Sequence, residues 1–225
     1  MLADYGVPVA RIVAATDLAG VLAAARRLGY PVALKTAAAS HKTEVGGVTL
    51  GLGDEADLTA AYREMSSRLG PVVTVQQMVE PGVEMALGVA HDPQFGPLVM
   101  VAAGGVLIET LADRRLALPP LDEVRASKLI DRLAARPLLD GVRGAPPADV
   151  AALFRALSRL SLLAMDLGDL IYAIDVNPIV VGPHGCVAVD ALVEPQAISD
   201  QKADRCKPTE PARRHGPAGS NPASA

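Results

Sequence analysis

Apolar residues recur at helical spacing in four stretches of the chain, and most of the remainder alternates or runs as short strands. Leu18, Val21, Leu22, Ala25 and Leu28 share one helical face, with Thr16 as the expected N-cap and Gly29 and Pro31 as the stop. Residues 32–36 predict a short buried strand, and Val48, Leu50 and Leu52 alternate as a half-buried strand does. Residues 54–69 return to the helical period, with Leu58, Ala61, Tyr62, Met65 and Leu69 inward and Gly70-Pro71 closing the helix. Strands then follow at residues 72–79, 83–90, 98–103 and 106–111, with Pro or Gly at each junction, which predicts an antiparallel meander. Two more helices carry stripes, one of Ala126, Leu129, Ile130 and Leu133, the other of Val150, Leu153, Phe154, Leu157 and Leu160. The second is read as started by Pro146-Pro147. Strand character resumes at 171–176, 179–181 and 186–189. Residues 1–11 read as a lead-in, and residues 197–225, rich in Pro, Gly and Ser with no apolar period, as a disordered tail. Helices and strands segregate into an α+β pattern.

Composition narrows the function classes. Half of the 225 residues are hydrophobic but only 3% are aromatic and none is Trp, so the core is built from Ala, Val, Leu and Ile. A net charge of −4 with mixed signs argues against a nucleic-acid or membrane-surface protein, so an anionic ligand needs local cations. Cys186 and Cys206 lie far apart without metal-ligand spacing and read as reduced thiols of a cytoplasmic protein. Residues 1–6 lack the apolar run of a signal peptide, and no apolar stretch approaches the roughly 18 residues a membrane span requires.

Candidate chemistry gathers in two places. Near the start, an apolar strand delivers Lys35, and His41 and Lys42 then lead into a Gly46-Gly47 turn that opens the next strand. Glycines let backbone amides approach an anion closely, and the three cationic or titratable side chains can surround it. The pattern is neither a P-loop nor a G-x-G-x-x-G fingerprint, and an ordinary hairpin with solvated lysines fits it as well.

Near the end, Asp175-Val176-Asn177-Pro178 precedes a Gly182-Pro183-His184-Gly185 turn and then Asp190. Alternation puts Asp175 and Asn177 on one strand face, and folding about the turn sets Asn177 opposite Asp190. Two carboxylates and an amide oxygen then converge, a set that suits Mg²⁺ completed by substrate phosphates. The plainer reading is a bend at Asn177-Pro178 and a strand end at Asp190. Arg114 and Arg115 are candidates for a phosphate clamp, or equally a solvated pair. Glu84, after a Pro-Gly turn, is placed to reach a ribose or a metal, or is a surface acid.

With the His41-Lys-Thr-Glu-Val-Gly-Gly-Val48 loop and the Asp175-Val-Asn-Pro178 hairpin together, the chain resembles a family. It is similar to the ATP-grasp portion of ADP-forming acyl-CoA synthetases, such as the β subunit of acetate–CoA ligase, and more distantly to the β subunit of succinyl-CoA synthetase. The resemblance runs from about residue 2 to 194. It includes Gly29-Tyr-Pro-Val-Ala-Leu-Lys35, Val75-Gln-Gln-Met-Val79, Gly82-Val-Glu84, Asp92-Pro-Gln-Phe-Gly-Pro97 and Gly104-Gly105. One departure stands out: Ala173 lies where many relatives carry an acid.

The resemblance implies an ATP-grasp fold over residues 1–196, with a smaller lobe at about 15–80 and a larger one at about 81–196 gripping ATP or ADP. It places Lys35 and Lys42 at the phosphates, with Gly46 and Gly47 as their cover. Gln76, Gln77, Met78 and Val79 would line the adenine edge, and Glu84 would lie near the ribose. Asp175, Asn177 and Asp190 would hold Mg²⁺, and His41 and Arg115 would serve the chemistry. The reaction implied is acyl-CoA + ADP + phosphate ⇌ carboxylate + CoA + ATP, by way of a phosphohistidine on a CoA-binding partner. Neither a CoA-binding half nor that partner's histidine loop is legible in the sequence. The chain is therefore expected to need an α-type ligase subunit or fused domain, in a hetero-oligomer. A non-catalytic ATP-sensing module of a regulatory or acetyltransferase-fused protein is the alternative.

Overall fold

A computed structural model describes residues 1–37, 46–105, 113–142 and 144–196. Two antiparallel sheets organise them. The first is built from β1 (Ile12–Ala15), β2 (Val32–Thr36), β3 (Val48–Leu52) and β4 (Val73–Gln77), in the order β1-β4-β2-β3. Helices α1 (Leu18–Leu28) and α2 (Glu55–Leu69) supply its core: Val21, Ala25, Leu28, Leu58 and Met65 pack with Val32, Leu34, Val73 and Val75. Alternation along β2 and β4 leaves Lys35 and Gln76 on the face away from those helices.

Asp17, not Thr16, caps α1, accepting from the Gly20 amide at 2.7 Å. The strand β1, which no sequence signal announced, runs to Ala15 and leaves Thr16 in the turn, where its carbonyl accepts from Tyr62 Oη. Asp54 caps α2, accepting from Ala56 and Asp57 amides at 2.8 and 2.9 Å.

The second sheet comprises β5 (Val83–Asp92), β6 (Gly96–Ala103), β7 (Arg114–Ala117), β8 (Ile171–Gly182), β9 (Gly185–Ala188) and β10 (Ala191–Pro195). Its order is β10-β8-β5-β6-β7, with β9 also paired to β8. Helices α3 (Glu123–Ile130) and α4 (Val150–Leu167) cover one face, and Leu87, Val101, Ile130, Leu153, Leu157, Leu160 and Val176 form the core between them. Leu2 and Val7 join this core, and Ala188 exchanges backbone hydrogen bonds with Pro8 and Ala10.

Three expectations change. The meander holds for β5 and β6 and continues into β7, a strand the sequence reading did not place, but β4 sits inside the first sheet, so residues 78–82 cross between sheets instead of turning a hairpin. The crossing is tight: a Cβ on Gly82 would lie 2.5 Å from the Val181 carbonyl oxygen. Strand character before and after Asn177-Pro178 belongs to one strand of 12 residues. Finally, Asp149 caps α4, accepting from the Ala152 amide at 2.9 Å, with the two prolines upstream in the approach. The expected strand at 106–111, the expected tail at 197–225, and His41 and Lys42 all lie outside the described residues. No helix among the described residues is long and apolar enough to cross a membrane.

Candidate functional site

The two sheets meet at one carbonyl. Gln76 Nε2 donates to the Val189 oxygen at 2.7 Å, and Lys35 Nζ donates to the same oxygen at 3.4 Å. Both donors are buried, at 3% and 6% exposure, although one carries a charge. They reach this carbonyl because β2 and β4 pair with Lys35 beside Thr74 and Ala33 beside Gln76, which places the long polar side chains on the helix-free face.

Val189 begins the return of the acidic hairpin. Its amide donates to the Pro178 carbonyl at 2.9 Å, and the Asn177 amide donates to the Asp190 carbonyl at 3.1 Å, so Asn177 stands opposite Asp190. Asp175 and Asn177 are more exposed than Ile174 and Val176, which flank Asp175 and are buried. The Asp190 carboxylate accepts from the Ala191 amide at 3.0 Å. Partial burial pushes the Asp175 carboxyl above its ordinary range, and the negative charge of Asp190 pushes it further. A cation between these carboxylates would relieve that repulsion. Among the described residues no three His, Cys, Asp or Glu side chains cluster as a metal cage. Two carboxylates and an amide oxygen instead suit a hard divalent ion that takes its other ligands from water and phosphate.

The remaining candidates separate. Gly46, at φ 63°, makes the turn into β3, and the Gly47 carbonyl accepts from the Thr36 amide at 2.8 Å. Arg68, which the sequence did not single out, donates to the Gly46 carbonyl at 3.3 Å and supplies a cation beside that turn. Gln77 accepts from Arg11 Nε at 2.9 Å, so Arg11 braces the crossing segment. Met78 and Val79 are half-buried and line a groove of about 940 Å³ together with Val180, Val187, Arg155 and Arg159. Lys35, Asp175, Asn177 and Asp190 do not line it. Glu84 is exposed at the start of β5, and its carboxylate leaves no room at Gly105, where a Cβ would lie 2.6 Å from Oε2.

Arg115 is not brought to the site. It pairs with Val101, which pairs with Leu87, which pairs with Val176, and directly opposed residues share a face. That face carries the helices. Arg115 Nη2 donates there to the Arg132 carbonyl at 2.6 Å, and Nη1 lies 3.4 Å from buried Asp113. The exposed Arg114 lies on the other face, which it shares with Leu116, Met100, Gly88 and Asp175. Ala173 pairs with Glu194, so the acid missing from that position of β8 has a carboxylate across the ladder.

A family model described as an ATP-grasp domain matches residues 1–194. The chain is 36% identical over 200 residues to acetate–CoA ligase [ADP-forming] I of Archaeoglobus fulgidus, covering 84% of this chain but 29% of that protein. It is 34% identical over 205 residues to the acetate–CoA ligase [ADP-forming] II subunit beta of Pyrococcus furiosus, covering 86% of this chain and 87% of the subunit. Among solved structures, the dinucleotide-forming acetyl-coenzyme A synthetase 1 of Ca. Korarchaeum cryptofilum, in complex with coenzyme A and Ca-AMPCP, superposes with a TM-score of 0.81 at 34% identity. The match covers 87% of this chain and 89% of that one. A second complex of that protein, with coenzyme A and Mg-AMPPCP and its phosphohistidine segment pointing towards the nucleotide-binding site, gives 0.78 at 36% identity, covering 87% and 88%.

Proposed function

Because this chain belongs to the ATP-grasp domain family, we propose that it is the Mg²⁺-dependent nucleotide-binding part of a cytoplasmic, ADP-forming acyl-CoA synthetase. It spans under a third of the Archaeoglobus ligase and most of the Pyrococcus β subunit. A CoA-binding, α-type partner, as a separate subunit or a fused domain, completes the acid–thiol ligase. Residues 1–196 constitute the domain, with the smaller lobe at about 15–80 and the larger at about 81–196.

The observation that carries this reading is the convergence of Lys35 and Gln76 from one sheet on the Val189–Asp190 return of the other, beside Asp175 and Asn177. Lys35 reaches the segment that carries the Asp190 carboxylate, so cation and acid stand together, as a nucleotide with its metal requires. Lys35 stabilises charge on the nucleotide phosphates, while Asp175, Asn177 and Asp190 hold Mg²⁺, which neutralises phosphate oxygens when bound. Gln77, Met78 and Val79 border the base, Glu84 the ribose, and Gly46 and Gly47 cover the phosphates. His41 as a second phosphoryl carrier and Lys42 as a phosphate cation are proposed from the sequence alone. The phosphoryl group passes from the partner's phosphohistidine to His41 and then to ADP. In each transfer the P–N bond to the donor histidine breaks, its electron pair returning to that imidazole. The acceptor, first a His41 ring nitrogen and then an ADP β-phosphate oxygen, forms the new bond to phosphorus. ATP leaves, and both histidines are free to be phosphorylated again.

Mixing the chain with a CoA-binding partner subunit and following acyl-CoA- and phosphate-dependent ATP formation tests the proposal. Turnover that requires both chains and Mg²⁺ is expected. A chain that binds no adenine nucleotide at millimolar Mg²⁺ would overturn it.

A further inference from the structure

The family resemblance implies Gln76 at the adenine edge, whereas in the fold its amide donates to the Val189 carbonyl. β4 is an inner strand of the first sheet, paired on one side with β1 and on the other with β2, so the Gln76 backbone has little freedom. From there the buried side chain donates to the Val189 carbonyl at 2.7 Å, across 113 residues of sequence. The peptides on either side of that carbonyl are held from behind by β8, through Val189 N to Pro178 O and Asn177 N to Asp190 O. The short segment carrying Asp190 is thus clamped between the two sheets.

We propose that Gln76 is a positioning residue: its amide fixes the Val189 carbonyl and thereby sets where the Asp190 carboxylate stands relative to Lys35. This deepens the nucleotide reading and rests on it. Lys35 shares the same carbonyl at the longer distance of 3.4 Å. A phosphate would compete for that ammonium far better than a neutral carbonyl does, because hydrogen bonds between two charged groups are the stronger ones. The neutral Gln76 amide carries no such competing attraction. It keeps the sheets in register after Lys35 turns to the nucleotide. The role predicted is therefore indifferent to the base and sensitive to the metal.

Calorimetric titration of the chain with non-hydrolysable adenosine and guanosine triphosphates over a Mg²⁺ series tests this, using wild type, Gln76→Met and Gln76→Asn. Met removes the donor at similar length, whereas Asn keeps the amide but withdraws it by a methylene and adds no charge. Loss of one buried hydrogen bond predicts that the Mg²⁺ needed for half-saturation rises roughly three- to tenfold in both variants. The rise should be equal for the two bases, with metal-free nucleotide affinity unchanged. Wild-type Mg²⁺ dependence in either folded variant, or a change confined to the adenine ligand, would overturn the inference and leave the nucleotide reading standing. A wild-type chain that binds neither triphosphate would overturn both.

Discussion

Arg114 and Arg115 face opposite sides of the second sheet. Arg114 shares its face with Asp175, while Arg115 turns back toward the helices, between Asp113 and the Arg132 carbonyl. Only one of two adjacent strand residues can serve a cleft, and the register decides which. Of the two clamp candidates, only Arg114 lies on the face that carries Asp175.

Arg115→Ala is accordingly expected to behave as a stability variant. It removes a charge-assisted contact to a carboxylate that is 4% exposed, though Asp113 keeps the hydrogen bond from the Ala135 amide at 2.8 Å. Chemical denaturation should show a loss of about 1–2 kcal/mol, with Mg-nucleotide affinity within twofold of wild type. Arg114→Ala should do the reverse, weakening nucleotide binding several-fold and leaving the denaturation midpoint in place. A several-fold affinity loss in Arg115→Ala alone would return the clamp to Arg115.

The Arg26–Glu55 pair joins α1 to α2 at 2.5 Å. The hydrogen bond from Arg26 holds the Glu55 carboxyl below its ordinary range, outweighing the small opposing effect of burial. A carboxylate depressed in the folded state contributes stability above its unfolded pKa, about 4.3, and loses that contribution as pH falls through the folded value. The melting temperature of wild type should therefore decline more steeply than that of Glu55→Gln between about pH 5 and 3. Superimposable acid limbs would mean the exposed pair contributes nothing.

Cys186 packs in the second core at 3% exposure, and burial pushes its thiol up to about 11. At pH 8 the thiolate fraction is then on the order of 10⁻³. Iodoacetamide should modify Cys186 slowly in the native chain and rapidly in denaturant, read by peptide mass. Fast native labelling would show that β9 opens readily.

Local chemistry explains what could be read in advance. The hairpin register followed from a turn whose centre is marked by Gly182-Pro183-His184-Gly185, and counting outward reached Asn177 and Asp190 correctly. Helical stripes at Leu58, Tyr62 and Met65 and at Leu153, Leu157 and Leu160 announced buried faces. By contrast, β1 has four residues of uniform apolar or small character and no alternation to detect. Turn residues at Pro81-Gly82 signalled a change of direction but not a change of sheet. The side of the sheet taken by Arg115 depended on a register passed through β6 and β5. The Gln76–Val189 contact has no local signature, since it exists only once both sheets are in place.

In the proposed site, Asp175 and Asp190 would trade stability against metal binding. Partial burial disfavours ionisation of Asp175, and the negative charge of Asp190 adds to that penalty. Removing one charge should therefore favour the ligand-free fold: Asp175→Asn is expected to raise its melting temperature by roughly 1–3 °C. The same substitution removes the charge of a proposed metal ligand, so under that proposal Mg-nucleotide should stabilise the variant less than it stabilises wild type. Asp190→Ala should show the affinity loss too, but without a comparable thermal gain, because it also discards the hydrogen bond from the Ala191 amide at 3.0 Å. Differential scanning fluorimetry with and without Mg²⁺ and a non-hydrolysable triphosphate separates the two effects. If Asp175→Asn left both the ligand-free melting point and the ligand-induced shift at wild-type values, these carboxylates would be neither frustrated nor metal-binding. The hairpin would then be an ordinary solvated strand end.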